Sequence, residues 1–111
     1  MTGSLIIVEG KTDKARLEKV LAEPTQIYCT HGSFSFEKGE KLQSIIEEAE
    51  EVYIFTDEDY DGKKLRQQLK EEIPWAHHLH TRKVFAEVAR TPLEELAMIL
   101  DEAGFETIKY Q

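Results

Sequence analysis

The sequence is poor in the residues that mark disulfide-rich, fibrous and membrane-spanning proteins. Its 111 residues include one Cys, three Pro and six Gly. The single Cys29, in "QIYCT", cannot form an internal disulfide, and we interpret it as a small core residue on a strand. No apolar run approaches the roughly 20 residues of a transmembrane helix, and the run near the N-terminus is too short for a signal peptide. We therefore expect a cytoplasmic protein with no membrane role.

Positive charge is also scarce. The chain has 14 Lys and Arg against 22 Asp and Glu, a formal net charge of -8. Non-specific binding to nucleic acid depends on many phosphate contacts, so this balance argues against a broad nucleic-acid surface. Any such binding must depend on a local site, a cation or a partner. Hydrophobic residues (41%) and charged residues (32%) are present in globular proportions, and the length predicts one domain over residues 1–111.

Apolar runs alternate with helical patterns along the chain. Strands are predicted at residues 4–8, 26–30 and 52–55, and each is followed by a helical pattern, at 11–23, 39–51 and 62–73. A fourth strand near 76–81 is less regular because it contains three histidines. A last helix is predicted to begin at a capping box, Thr91-Pro92-Leu93-Glu94, and to end at Gly104. Residues 105–110 form either a short fifth strand or a docked tail.

This alternation predicts the fold class. Strands joined by helices of these lengths imply right-handed crossovers and parallel pairing. We therefore expect a compact three-layer α/β domain with a central, mainly parallel sheet of four to five strands and helices on both faces. In such a sheet the functional crevice lies at the carboxyl ends of the strands.

Acidic residues follow the first and third predicted strands. Glu9 ends the first strand, Asp57 ends the third, and Asp59 lies just beyond. Because the carboxyl ends of parallel strands share one edge, we expect these carboxylates to converge. Carboxylate oxygens completed by water suit Mg²⁺ or Mn²⁺, which phosphate substrates often share. The sequence predicts a metal site for phosphoryl chemistry at this edge.

Asp61 has two interpretations, as a further metal ligand or as the N-cap of the helix at 62–73, and we favour the cap. A calcium loop is excluded, since the twelfth position counted from Asp57 is Gln68, where a Glu is required. A receiver-type phosphoacceptor domain fits less well. Its first strand is expected to end in paired acids, whereas this one ends in Glu9-Gly10, and no clean lysine follows a fifth strand.

With the acidic motifs placed, the chain resembles the Toprim domain, the catalytic module shared by topoisomerases, bacterial primases and some nucleases. The motifs are E-G-x-x-D in "LIIVEGKTD" (5–13) and D-x-D in "VYIFTDEDYDG" (52–62), with "THGS" (30–33) between them. Within the family the chain looks most like the Toprim domain of the ribonuclease that matures bacterial 5S ribosomal RNA. That enzyme has an additional C-terminal region, so the resemblance implies a stand-alone Toprim core here.

The resemblance implies that Asp57 and Asp59 hold a divalent cation, usually Mg²⁺, while Glu9 acts as general acid or base or completes the metal shell. The implied activity is phosphodiester cleavage or transfer on nucleic acid, of the RNA-processing or DNA-nicking type, with a partner or dimer supplying further substrate contacts. Two alternatives stay open. One is a non-catalytic Mg²⁺-binding module that positions RNA, DNA or a protein, and the other is the receiver-like domain.

Secondary candidates lie near the predicted site. Gly10 would allow a tight turn and close substrate approach, or would serve only as a turn residue. Lysines near predicted helix starts would contact phosphate, and a histidine after the second strand faces the same edge. The candidates for phosphate or substrate contact are Gly10, Lys11, His31, Lys63 and Lys64.

Further residues carry weaker hypotheses. Tyr60 and Phe34 would stack on bases or pack on the domain itself. Glu87 corresponds to a further acidic position if the alignment with the ribonuclease group holds. For His77, His78 and His80 we prefer a polar strand edge over a metal site, because no Cys or further His lies at ligand spacing.

Overall fold

The computed structural model describes residues 3–32 and 36–108, without the side chains of residues 36–38. Phe34 and the end of the "FETIKY" segment therefore lie outside the described residues. The strands are β1 (Ser4–Val8), β2 (Gln26–Cys29), β3 (Glu51–Ile54) and β4 (His77–His78). The helices are α1 (Lys11–Val20), α2 (Phe36–Glu48), α3 (Tyr60–Glu72) and α4 (Leu93–Glu102), with a 3-10 helix at Val88–Arg90. None of the described helices is long and apolar enough to cross a membrane.

The four strands form one parallel sheet in the order β2-β1-β3-β4. β1 lies in the middle, with Ile6 opposite Ile27 on one side and opposite Tyr53 on the other. The predicted fourth strand is present but shorter than expected, at two residues, and the amide of Leu79 extends it by donating to Ile54 O at 2.9 Å. The predicted parallel α/β fold is confirmed.

Both faces of β1 are buried, which explains its continuous apolar sequence. Ile6 and Val8 point to one face and pack in a cluster with side chains of α1 and α4. Leu5 and Ile7 point to the other face and pack with side chains of α2 and α3. The alternation follows from the strand pleat and produces three layers, with two helices on each face of the sheet.

The described part of the C-terminal segment docks beside the end of α1. Leu21 and Thr107 form an isolated antiparallel bridge. The amide of Ala22 donates to Glu106 O at 2.9 Å, and the amide of Ile108 donates to Val20 O at 2.8 Å. Of the two alternatives for this segment, the described residues through 108 adopt the docked tail.

The capping box predicted for the last helix is wrong. Pro92 is the N-cap of α4, and no side chain caps this end. The Thr91 hydroxyl instead donates to Glu87 O at 2.9 Å, and the Thr91 carbonyl accepts from Arg16 at 2.7 Å. Because Thr91 is fully buried, its polar groups serve tertiary contacts and are turned away from the first helical turn.

The prediction that Asp61 caps α3 is also wrong. α3 begins two residues earlier than expected, and its N-cap is Asp59, whose carboxylate accepts from the Gly62 amide at 2.8 Å. Gly62 allows this early start, since a Cβ at that position would lie 2.2 Å from the Asp57 carbonyl oxygen. The Thr56 hydroxyl donates to Gly62 O at 3.0 Å. The first turn of α3 is thus pressed against the end of β3.

Gly10 does not need the special freedom of glycine. Its backbone is extended, with φ of -142° and ψ of 173°, a conformation that any residue adopts. A Cβ there would meet only the Asp13 carboxylate, at 3.9 Å. The backbone conformation at Gly10 therefore does not require glycine, although the sequence suggested a tight turn there.

These two glycines form a matched pair for a stability test. Gly62→Ala should lower the free energy of unfolding by about 2 kcal/mol, because an overpacking cost of about 3 kcal/mol exceeds the helix-propensity gain of about 1 kcal/mol. Gly10→Ala should lower it by about 1 kcal/mol or less, because Gly10 is the N-cap of α1 and alanine is disfavoured at that position. Urea unfolding measures both. Equal stability of the two variants would contradict the close contact at Gly62.

Candidate metal centre

Three carboxylates converge at the carboxyl edge of the sheet. Glu9 follows β1, Asp57 follows the neighbouring strand β3, and Asp59 caps α3. Each offers an oxygen within 4.8 Å of those of the other two. The Asp57 amide also donates to Glu9 Oε1 at 3.3 Å, which links the two strand ends directly. The structure thus brings together the three residues predicted from distant motifs, while their role as ligands stays a prediction.

The loop that carries Asp57 is fastened to the segment before α4. Asp57 Oδ1 accepts from the Val88 amide at 2.7 Å. The neighbouring Glu58 amide donates to Ala86 O at 2.6 Å, and Ala86 has a positive φ of 59°. The carboxylate of Asp57 is therefore held by a hydrogen bond at the site, which favours a fixed position for it.

A second pair of acids adjoins the site. Asp13 is 7% exposed, and its carboxylate accepts from the Gly10 amide at 3.0 Å at the start of α1. Burial raises the pKa of Asp13, and the negative charge of Glu87 raises it further against that hydrogen bond. Glu87 forms an ion pair with Arg90 at 3.3 Å. Glu87 thus lies near the site, while the described cluster within 4.8 Å contains neither acid.

The site carries more negative charge than its own hydrogen bonds neutralise. Burial raises the pKa of Asp57 to about 7, and the carboxylates of Glu9, Asp13 and Asp59 contribute, against the hydrogen bond from Val88. Burial is also the main cause that raises the pKa of Glu9. A divalent cation among these oxygens would reverse that effect and favour the charged forms. The oxygen-only donors and their excess charge therefore fit a divalent cation.

Arg66 supports the loop that carries Asp57, and the sequence motifs do not single it out. Its guanidinium donates to the carbonyls of Ile54 (3.3 Å), Thr56 (3.1 Å) and Leu79 (2.7 Å). It also forms an ion pair with Glu58 at 3.2 Å, with both side chains 11% exposed. Arg66 therefore joins the ends of β3 and β4 to the loop that carries Asp57. Its only recognisable sign was a basic residue beside the buried Leu65.

The secondary candidates take different positions. Lys64 lines a pocket that also contains Glu9, Asp61 and Gly32, so it lies beside the carboxylate of Glu9. The amide of the exposed His31 donates to Glu9 O at 2.6 Å, with φ of 57°. Lys11 is exposed at the first residue of α1.

The three histidines line the edge of the sheet. His77 contacts Glu51 at 2.7 Å and stacks on Tyr53. His78 lies 3.1 Å from Arg66, and His80 lies 3.1 Å from Glu58. Among the residues that the structure describes, none of the three joins a group of three metal-ligating side chains. This arrangement agrees with a polar strand edge.

Comparisons with known proteins agree with this fold. Residues 4–90 match the model of the Toprim domain family. The structure of a small TOPRIM domain protein from Bacillus stearothermophilus has a TM-score of 0.90 and 38% sequence identity, covering 97% of this chain and 91% of that one. The uncharacterized protein YusF of Bacillus subtilis is 44% identical over 100 residues, which is 90% of this chain and 68% of YusF.

Ribonucleases are among the relatives too. Ribonuclease M5 of Mesoplasma florum is 40% identical over 73 residues, 64% of this chain and 41% of the enzyme. Ribonuclease M5 of Bacillus subtilis is 28% identical over 105 residues, 95% of this chain and 53% of the enzyme. The chain thus matches about half the length of these enzymes. The resemblance to a ribonuclease-type Toprim domain is confirmed.

The burial of Asp57, together with the nearby carboxylates, predicts how stability depends on pH when no divalent cation is bound. Asp57 has an ordinary pKa of 3.8 and a folded-state pKa of about 7. Between these two pH values Asp57 is protonated in the folded state and ionised in the unfolded state. The free energy of unfolding therefore falls as pH rises through this range, and the loss is complete above about pH 7. Asp57→Asn keeps an acceptor for the Val88 amide and removes the titration. In EDTA it should therefore melt at a higher temperature than wild type at pH 8, with little difference at pH 4.

Circular dichroism melting measures the difference, with Asp101→Asn as the control for loss of an exposed acid. That control should follow wild type at both pH values. A wild type more stable than Asp57→Asn at pH 8 in EDTA would contradict the prediction that ionised Asp57 destabilises the metal-free fold.

Proposed function

The chain belongs to the Toprim domain family, and on that premise we propose that it is a Mg²⁺-dependent enzyme that cleaves or transfers phosphodiester bonds in nucleic acid. RNA processing and DNA nicking are the activity types that this proposal covers. One observation carries it: Glu9, Asp57 and Asp59 offer oxygens within 4.8 Å of one another. The catalytic unit in this proposal is a single Toprim domain over residues 1–111.

We assign Asp57 and Asp59 as metal ligands, with Glu9 completing the set. Three carboxylates without His or Cys are a donor set typical of Mg²⁺ or Mn²⁺. A bound Mg²⁺ supplies neutralisation of phosphate charge and polarisation of the P–O bond. Asp59 has a second task in this scheme, because its side chain accepts from the Gly62 amide and holds the start of α3 at the site.

Glu9 is the candidate proton carrier. Burial raises its pKa above the ordinary value, the nearby acids add to the rise, and the bond from the Asp57 amide opposes it. A carboxyl group shifted in this direction approaches the pH range in which general acids and bases work. Its strand-end position, next to a hydrogen bond that orients Oε1, favours proton transfer at one fixed place.

The pocket beside Glu9 is the proposed place for substrate. Its lining includes Lys64 and Gln68 of α3 and Gly32 after β2. Lys64 lies in the first turns of α3, where the helix dipole also favours a phosphate group. Gly10, Lys11 and His31 stay predicted contacts of the substrate. The net charge of -8 leads us to propose that a partner or a second copy contributes further contacts to nucleic acid.

The metal assignment is tested by calorimetric binding of Mg²⁺ and Mn²⁺. Asp57→Asn and Asp59→Asn should each weaken binding by at least about tenfold, a loss as large as that of removing a residue that only hydrogen-bonds to a metal ligand. Asp59→Asn is informative because Asn still caps a helix, so the fold should be kept. Asp61→Asn removes the same charge two residues away and should weaken binding by less than about fivefold. Unchanged affinity in both ligand variants would refute the site.

The activity is tested with structured RNA, single-stranded DNA and duplex DNA in Mg²⁺ and in EDTA. Wild type should cut at least one of these substrates only with Mg²⁺, and Glu9→Gln should be slower by about 100-fold or more, the size of a general acid-base contribution. Full metal binding without any turnover would favour the alternative function, a Mg²⁺-binding module that positions nucleic acid or protein. Equal rates for wild type and Glu9→Gln would remove Glu9 from the mechanism.

A further inference from the structure

Positive groups of this acidic chain gather in one groove between α3 and the edge strand β4. We call it the α3–β4 groove. It adjoins the Asp57 loop through Arg66, which binds the Thr56 carbonyl at 3.1 Å. The groove is lined by Lys63, Arg66, Gln67, Lys70, His78 and His80.

Internal contacts use some of these positive groups and leave others available. Arg66 is held by backbone carbonyls and by Glu58, which also accepts from His80. Burial and the charge of Arg66 lower the pKa of His78, which disfavours the charged form of its ring. Lys63 and Lys70 are exposed, and neither forms an ion pair with another described side chain. The groove therefore offers two ammonium groups to an external anion.

The lysines lie in one row on α3. Lys63, Gln67 and Lys70 are spaced at i, i+4 and i+7, which places them on the same helix face. Tyr60 precedes Lys63 by three residues and extends the row toward the metal centre, since it follows Asp59 directly. From Tyr60 to Lys70 the helix rises about 15 Å. The row thus runs from the carboxylates outward along the groove.

Tyr60 is a largely exposed aromatic residue at the start of α3. Its side chain is 79% exposed, the largest exposure among the exposed large hydrophobic residues of the described chain. An aromatic ring beside spaced cations is typical of surfaces that bind single-stranded nucleic acid, where the ring stacks on a base and the cations follow the phosphates. The rings of His78 and His80, which also line the groove, lie nearly parallel to each other, with an angle of 23° between their planes.

We propose that the α3–β4 groove binds one strand of nucleic acid next to the phosphate that the metal centre holds. Lys63 and Lys70 contact successive parts of the phosphate backbone, Gln67 donates between them, and Tyr60 stacks on a base at the metal-centre end. This inference rests on the proposed function, because it places the strand relative to the same carboxylates. It also explains how a chain with a net charge of -8 binds nucleic acid, because the contacts are confined to one row of positive side chains.

Binding without catalysis tests the groove by itself. Fluorescence anisotropy would follow a labelled single-stranded RNA in EDTA over a series of salt concentrations. Lys63→Gln/Lys70→Gln should reduce the slope of log affinity against log salt by about 1.4, at about 0.7 for each lost phosphate contact on a single strand. Lys19→Gln/Lys41→Gln removes the same charge from α1 and α2 and should keep the wild-type slope. Tyr60→Ala should weaken binding by at least about fivefold with an unchanged slope.

Several outcomes decide the proposal. Equal slopes for the two double variants, or equal affinity of wild type and Tyr60→Ala, would overturn it. Tighter binding of the matching duplex would overturn the single-strand assignment, and equal binding of polyglutamate would overturn the choice of nucleic acid. Failure of the proposed function looks different, because groove-dependent RNA binding would then persist without Mg²⁺-dependent cleavage. Mg²⁺-dependent cleavage by Lys63→Gln/Lys70→Gln at the wild-type rate would instead refute the groove and leave the proposed function standing.

Discussion

The convergence of Glu9, Asp57 and Asp59 at one edge of the sheet is the constraint that the surrounding structure has to satisfy. Their oxygens lie within 4.8 Å of one another, and burial together with neighbouring charge raises the pKa of Asp57 to about 7. Such an arrangement costs folding free energy until a cation joins it. Proteins keep strained or repulsive groups where the surrounding structure over-determines them and where they serve function. The acidic edge of this sheet has the first property, and the proposed metal site would supply the second.

Three features of the surrounding structure hold the carboxylates in place. β1 is buried on both faces, so Glu9 emerges from a rigid support. Gly62 lets the first turn of α3 press against the end of β3, which brings its cap, Asp59, to the site. Arg66 then fixes the loop between them through the carbonyl of Thr56 and the carboxylate of Glu58. The proposed strand-binding groove begins where this support reaches the surface, so positioning and substrate binding share the same helix.

The sequence predicts the fold well because apolar periodicity reports burial directly. The run "SLIIV" is buried throughout, and the converging acids follow from strand ends that share one edge. The choice of helix cap was wrong because Asp59 and Asp61 are chemically equivalent, and the contact of Gly62 with β3 decides between them. Thr91 was misassigned since tertiary partners outcompete the local cap. Arg66 was missed because most of its acceptors are backbone carbonyls, which leave no trace in side-chain identity.

The carboxyl resonance of Asp57, followed by NMR over a pH titration with and without Mg²⁺, tests this account most directly. Without Mg²⁺ the resonance should report an apparent pKa of about 7, far above the ordinary 3.8. With saturating Mg²⁺ the apparent pKa should fall below its metal-free value, because a bound cation favours the carboxylate. An ordinary pKa that Mg²⁺ does not change would contradict both the burial of Asp57 among other carboxylates and the metal site.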